Sequence, residues 1–262
     1  MAEAKAPDPD LPASFRLDGR TALITGASRG IGRQAAITLG AAGATVVLAS
    51  RSADDLEWVA TEARAAGAPG ALAVPTDVTD EVAVEDAVAR AVEATGRLDL
   101  LVNVAGGQPF VASLEQTRTA GWDKVLALNL RATFVASRAA LAHLPRGGVI
   151  INVASVAAFE ATPGLGAYGA AKAGVVALTR TLAREAAPQG VRVNCLAPGW
   201  VRTELTRLLW SDPEQSRTVT ANVPLGRWAD PAELAGPLLL LASDAGSYMT
   251  GTTLIVDGGL LA

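Results

Sequence analysis

Seven short apolar runs, spaced along the whole chain, leave it few ways to fold. They are Thr21–Thr25, Thr45–Ala49, Ala71–Val74, Leu98–Val102, Val149–Val153, Val191–Cys195 and Thr253–Val256. Each has the length and β-branched content of a buried strand. Between them lie helical stretches: one after a glycine-rich turn to about Ala42, then Ala53–Ala66, Thr79–Thr95, Thr119–Leu144, the segment from Tyr168 to about Ala187, and Pro231–Ala242. Gly43, Gly67 and Gly96 close the first three, and Pro145 breaks the fourth. Strands without polar alternation, each followed by a helix, predict an α/β fold: a doubly wound parallel sheet of about seven strands, with helices on both faces and right-handed crossovers. There is no linker and no internal repeat, so residues 15–262 are expected to form one domain.

Composition removes several function classes. With 22 basic and 26 acidic residues the net charge is −4, which argues against a broad nucleic-acid surface. The lone Cys195 allows no intrachain disulfide, as suits a reducing cytoplasm, and is expected to be a small core residue. Residues 1–14, rich in Ala, Pro and Asp, lack the apolar stretch of a signal peptide and are expected to be a disordered tail. No apolar run reaches the ~18 residues of a bilayer span, so a soluble protein without a membrane partner is expected. No His/Cys/carboxylate cluster has metal-ligand spacing. The only histidine, His143, is expected late in a helix near its negative end.

Two motifs carry chemistry. Gly26, Gly30 and Gly32 fall between the first strand and its helix, where glycines let the backbone approach a pyrophosphate and the helix start offers free N–H groups. The turn lacks the Lys-Ser/Thr ending of a P-loop. Tyr168 and Lys172 lie four apart in a helical segment, hence on one face, and an ammonium beside a phenol favours the phenolate. Alone, the pair is also explained by a tyrosine at a helix edge and a solvated lysine. A serine-hydrolase reading fails for want of a Gly-x-Ser-x-Gly elbow.

Together the motifs make the chain resemble the short-chain dehydrogenase/reductase family, a single-domain Rossmann-like fold. The resemblance runs from about Leu17 to Leu260. Thr25-Gly-Ala-Ser-Arg-Gly-Ile-Gly32 is similar to the family's cofactor signature, and Asn103-Val-Ala-Gly106 to its Asn-Asn-Ala-Gly segment, with Val104 in place of the second Asn. Asn129, Ser155, Tyr168 and Lys172 match its catalytic four, with thirteen positions from Ser155 to Tyr168. Pro198-Gly199 and Val256-Asp-Gly-Gly259 match as well. The resemblance implies that Tyr168 is the general acid in reduction and base in oxidation. Lys172 would lower the tyrosine pKa and hold the nicotinamide ribose, Ser155 would bind the substrate oxygen, and Asn129 would position a water next to Lys172. It further implies cofactor contacts from Gly26, Ser28, Arg29, Gly30 and Ile31, from Asp77 and Val78 at the adenine, from Asn103, Ala105 and Gly106, and from Pro198, Gly199, Val201 and Thr203. A homotetramer is also implied.

The end of the second strand decides between nicotinamides. An acidic residue there binds the ribose 2′-OH, but Leu48-Ala-Ser-Arg-Ser52 has none. Ser50, Arg51 and Arg29 together suit a 2′-phosphate, so NADP(H) is expected. Substrate contacts are expected from Gln108, Phe110, Phe159 and Trp200, with Glu204–Asn222 as a lid or a subunit contact. The activity expected is that of a ketoreductase, of the 3-oxoacyl-carrier type or acting on another hydrophobic ketone. A nucleotide-sugar epimerase or dehydratase shares Tyr-x-x-x-Lys but pairs it with Gly-x-x-Gly-x-x-Gly and a larger C-terminal region. A non-catalytic regulatory protein on the same fold would usually lose Tyr or Lys.

Overall fold

The computed structural model describes residues 11–262. Seven parallel strands form one sheet in the order β3-β2-β1-β4-β5-β6-β7: β1 (Thr21–Thr25), β2 (Thr45–Ser50), β3 (Ala71–Pro75), β4 (Leu100–Asn103), β5 (Val149–Val153), β6 (Arg192–Pro198) and β7 (Thr253–Val256). The main helices are α1 (Gly30–Ala41), α2 (Ala53–Ala66), α3 (Glu81–Thr95), α4 (Thr119–Leu126), α5 (Ala132–Leu141), α6 (Gly166–Ala186) and α9 (Ala235–Ala242). Two short ones, α7 (Arg207–Trp210) and α8 (Pro213–Thr220), lie in the 204–222 segment.

Side chains alternate across each strand, and the two core layers follow that parity. Ala22, Ile24, Val46, Leu48, Leu100 and Val102 pack with α1, α2 and α9. Their neighbours Leu23, Val47, Ala49 and Leu101 pack with α3, α5 and α6. The helices begin and end where their caps dictate. The Asp80 carboxylate accepts the Val82 and Ala83 amides, which starts α3 two residues later than Thr79. Gly96, at φ 75°, then stops it.

Three expectations shift. The fourth strand begins at Leu100 rather than Leu98, because the intervening Asp99 is drawn to Arg97 at 2.6 Å and to the Thr21 amide at 2.8 Å. The sixth strand runs on to Pro198. The stretch Thr119–Leu144 is interrupted at Ala127–Arg131 by a π-helical segment. There the Asn129 side chain donates to the Val125 carbonyl at 3.0 Å, the acceptor an i→i−4 amide would use. Of the expected disordered tail, residues 1–10 lie outside the described residues. Leu11 packs on the core, and Ala13–Phe15 form a 3₁₀ turn.

Candidate active site and cofactor cleft

The strand order reverses between β1 and β4, and ligands of open α/β sheets bind at that switch point, beyond the carboxyl ends of the strands. The glycine turn occupies it. Gly26 sits at φ 68°, and a Cβ there would lie 2.7 Å from the Ala105 nitrogen. A Cβ on Gly32 would lie 2.1 Å from the Gly26 oxygen. Arg29, the N-cap of α1, is extended and offers no side-chain cap, so the first-turn amides of α1 lack that partner. Ser28 and Ile31 flank this turn, partly buried.

At the end of β2 the Ser50 hydroxyl is buried without a hydrogen-bond partner. Arg51 is exposed beside it, as is Arg29. The Asp77 carboxyl is held below its ordinary value, chiefly by the amide and hydroxyl of Thr79 at 2.9 and 2.7 Å and further by the Arg51 charge. Val78 is buried in the core. An uncapped glycine turn, an orphaned hydroxyl and two exposed guanidinium groups fit a dinucleotide carrying a further phosphate. On the far wall Gly199 donates to the Val256 carbonyl at 3.0 Å, following Pro198, the last residue of β6. Val201 is buried and bridges to Ala229. Thr203 Cγ2 lies 3.3 Å from where a Gly30 Cβ would stand. Asn103 is buried at the end of β4, paired with Thr25, and its side-chain oxygen has no hydrogen-bond partner. Its amide donates to Ser137 and Asn152 at 3.1 and 2.9 Å in a buried network behind the strand end.

Asn129, Ser155, Tyr168 and Lys172 gather beyond β4 and β5. Asn129 is fully buried. It exchanges two hydrogen bonds with Gly107, amide to carbonyl at 2.8 Å and carbonyl from N–H at 3.1 Å. Both its amide hydrogens are thus spent on backbone, and its visible work is to fix the loop after β4. The Lys172 ammonium is next to that loop, 3.2 Å from where a Gly106 Cβ would be, and donates to the Val153 carbonyl at 2.8 Å. Ser155 caps a 3₁₀ turn through the Ala157 amide at 3.2 Å, and its hydroxyl is near enough to the Tyr168 phenol to draw its pKa down. Lys172 Nζ lies 5.6 Å from the centre of the Tyr168 ring.

Burial, not the lysine charge, dominates the proton affinities. It pushes the Tyr168 phenol up to about 12, with Ser155 pulling back. It pushes the Lys172 ammonium down to about 8, against a smaller opposing effect of Cys195. The shift of the tyrosine is thus upward, set by burial against the smaller pull of Ser155, and not the lowering expected from its lysine. Cys195 is itself fully buried, and burial raises its thiol to about 11.

A buried lysine whose pKa falls below its unfolded value destabilises the fold. Between about 8 and 10.5 the unfolded chain binds the extra proton, so this contribution makes stability rise with pH across that window. Lys172→Met removes it. In urea unfolding without cofactor, the variant is expected to exceed the wild type by roughly 2 kcal/mol at pH 7, after allowance for the lost Val153 bond. The gap should close towards pH 10. A gap that does not change with pH would show that the buried charge is not its cause.

The substrate side departs from expectation in part. Gln108 donates its amide to the Phe110 carbonyl and leaves its own carbonyl oxygen buried without a partner. Phe110, like Tyr168, packs against the cluster of Val125, Ala167 and Ala171. Phe159, 44% exposed, lines a surface groove of roughly 320 Å³ with Gly169, Ala170 and Ala173. At 100° per residue these three lie about 60° to 160° around α6 from Tyr168 and Lys172. Trp200 meets Trp228 edge-on at 5.6 Å. Sequence reasoning missed the N–H bonds of Trp210 and Trp228, although an indole that is not fully exposed usually finds an acceptor. His143 follows the end of α5, exposed. Among the described residues no His/Cys/Asp/Glu group could hold a metal, and no helix is long and apolar enough to cross a membrane.

The chain is similar to known proteins along nearly its whole length. A family model described as enoyl-(acyl carrier protein) reductase matches residues 26–261. A 3-oxoacyl-[acyl-carrier-protein] reductase of Thermotoga maritima is 38% identical over 94% of this chain and 100% of its own length. A gluconate 5-dehydrogenase of Gluconobacter oxydans is 41% identical over 95% and 97%. Among solved structures, the RhlG/NADP active-site complex of Pseudomonas aeruginosa superposes with a TM-score of 0.90 at 37% identity, covering 95% of this chain and 99% of that one.

Proposed function

The chain belongs to the short-chain dehydrogenase/reductase family of nicotinamide-dependent oxidoreductases, and on that premise we propose that it transfers a hydride between NADP(H) and a carbonyl or secondary-alcohol carbon. The convergence of Ser155, Tyr168 and Lys172 beside an uncapped glycine turn carries this reading. When bound, the nicotinamide supplies or accepts the hydride. In reduction the Ser155 hydroxyl hydrogen-bonds the substrate oxygen, where negative charge grows. Tyr168 gives that oxygen its proton; in oxidation it takes one back. A phenol near 12 stays protonated through the neutral range, which suits the acid role and the reductive direction. Lys172 holds the ribose and offsets charge on the phenolate, and Asn129 keeps the Gly106–Gly107 loop clear of it.

The preference for NADP(H) rests on Ser50, Arg51 and Arg29 and on the absence of a carboxylate at the end of β2. The neighbour named as an NADP complex is in keeping with it. Arg51→Asp should weaken NADPH binding about ten- to a hundredfold, the loss of one charge-assisted contact to phosphate, and leave NADH within a few-fold. Titration with each nucleotide checks this. Equal losses for both would place the 2′-phosphate elsewhere.

The relatives' names span an acyl-carrier substrate and a sugar acid. Exposed Leu205 and Leu208, on the segment that follows Thr203, favour a hydrophobic ketone, including a 3-oxoacyl group. A cytoplasmic homotetramer completes the proposal; the groove on α6 and the exposed Ile255 on the edge strand β7 are the surfaces that suit self-association. NADPH oxidation measured over a panel of ketones and 3-oxoacyl thioesters tests the activity. Binding of NADPH without reduction of any of them would favour a non-catalytic role.

A further inference from the structure

Two polar ties join β5 to α6, the helix that carries Tyr168 and Lys172. One is the Lys172 ammonium, which donates to the Val153 carbonyl at 2.8 Å. The other comes from the neighbouring residue: the Asn152 side-chain amide donates to the Thr179 hydroxyl at 2.9 Å. Thr179 follows Lys172 by seven residues. That is about two helical turns, so both ties leave one face of α6.

Asn152 and Thr179 are fully buried, and the direction of the bond between them is fixed. The single hydroxyl hydrogen of Thr179 goes to the Val175 carbonyl at 2.8 Å, so towards Asn152 the hydroxyl can only accept. Asn152 must donate there, which turns its carbonyl oxygen towards β4. That oxygen accepts from Asn103, its partner across the parallel pair, at 2.9 Å. Asn103 also donates to Ser137 of α5 at 3.1 Å, and its own oxygen is left over. The row from α5 through β4 and β5 to α6 thus has one hydrogen-bond arrangement. A buried network of that kind rigidifies the elements it joins.

We propose that Asn152 is a positioning residue for the reaction: by holding Thr179 it sets where α6 lies along β5, and so places Tyr168 and Lys172 relative to Ser155, two residues beyond the end of that strand. The proposal rests on the reading above that these three side chains serve hydride transfer. Asn152 reaches them only through α6 and through its neighbour Val153.

The experiment measures kcat, substrate KM and the NADPH dissociation constant for Thr179→Val and Asn152→Leu, with Thr179→Ser as the conservative variant. The kcat is expressed per nucleotide-binding site, so that unfolded protein does not count. Thr179→Val keeps the shape of the side chain and loses the acceptor. A misplacement of about 1 Å costs up to about a hundredfold in rate, so kcat should fall about ten- to a hundredfold in Thr179→Val and Asn152→Leu. KM and the NADPH dissociation constant should stay within about threefold, as for an interaction felt in the transition state. Thr179→Ser keeps the hydroxyl and should retain kcat within about twofold. If the single variants fold poorly, the double variant Asn152→Leu/Thr179→Val removes both ends of the bond, which is milder for stability, and its kcat should be lowered alike. A merely structural bond would lower the unfolding midpoint and leave kcat per binding site at the wild-type value, and that result would overturn the proposal. So would a loss in Thr179→Ser as large as in Thr179→Val, since the hydroxyl would then not be the tie. A wild type that binds NADPH and reduces no carbonyl compound would instead overturn the functional reading on which the proposal stands.

Discussion

Tyr168→Phe should lower kcat by about a thousandfold while leaving NADPH affinity within a few-fold of the wild type. The argument is local. The ring of Tyr168 packs against the cluster of Val125, Ala167 and Ala171, and phenylalanine preserves that contact. Only the hydroxyl, whose pKa Ser155 draws down, is lost. A positioned acid contributes roughly a hundred- to ten-thousandfold, and the remaining Ser155 polarises the carbonyl but cannot deliver a proton with the same geometry. Stopped-flow turnover and nucleotide titration on one preparation separate the two readouts. A variant with more than about a tenth of wild-type kcat would show that the proton comes from another group.

Gly32→Ala should abolish measurable dinucleotide binding and destabilise the fold. The added methyl would stand 2.1 Å from the Gly26 oxygen, against backbone rather than a side chain that could swing away. Relief requires the turn to open, which moves the Gly26 backbone that packs on Ala105. Overpacking of this kind costs about 1–3 kcal/mol or more. Gly96→Ala makes the control: its φ is positive, but nothing lies within 4 Å of the new methyl. It should cost about 1 kcal/mol and leave nucleotide binding intact. Thermal unfolding and nucleotide titration of both variants compare a backbone clash at the site with backbone strain far from it. Normal nucleotide affinity in Gly32→Ala would contradict the placement of the cofactor on this turn.

The strands were the most legible part of the chain, because parallel strands buried on both faces read as unbroken apolar runs. The fourth strand slipped by two residues because Leu98 looks like strand and the buried Asp99 does not. The clustering of Ser155, Tyr168 and Lys172 was also legible, since their order and spacing carry it. Their electrostatics were not: adjacency suggested a lowered tyrosine, but burial depends on packing that spacing does not encode. The π-helical segment was unreadable because Leu-Asn-Leu has helical character, and only a tertiary partner, Gly107, shows what Asn129 does. The 204–222 segment resisted for the opposite reason. Its helices are short and unburied, held by Trp210 and Trp228 bonds that leave no periodic trace.

The most direct test of the account is isotope transfer from NADPH carrying deuterium at both positions of C4 of the nicotinamide, offered with the panel of ketones and 3-oxoacyl thioesters and analysed by mass spectrometry. The account predicts an alcohol product bearing one deuterium on the former carbonyl carbon, formed by the wild type and formed at least about a hundredfold more slowly by Tyr168→Phe. Alcohol formed without the label, or formed equally fast by the variant, would contradict it.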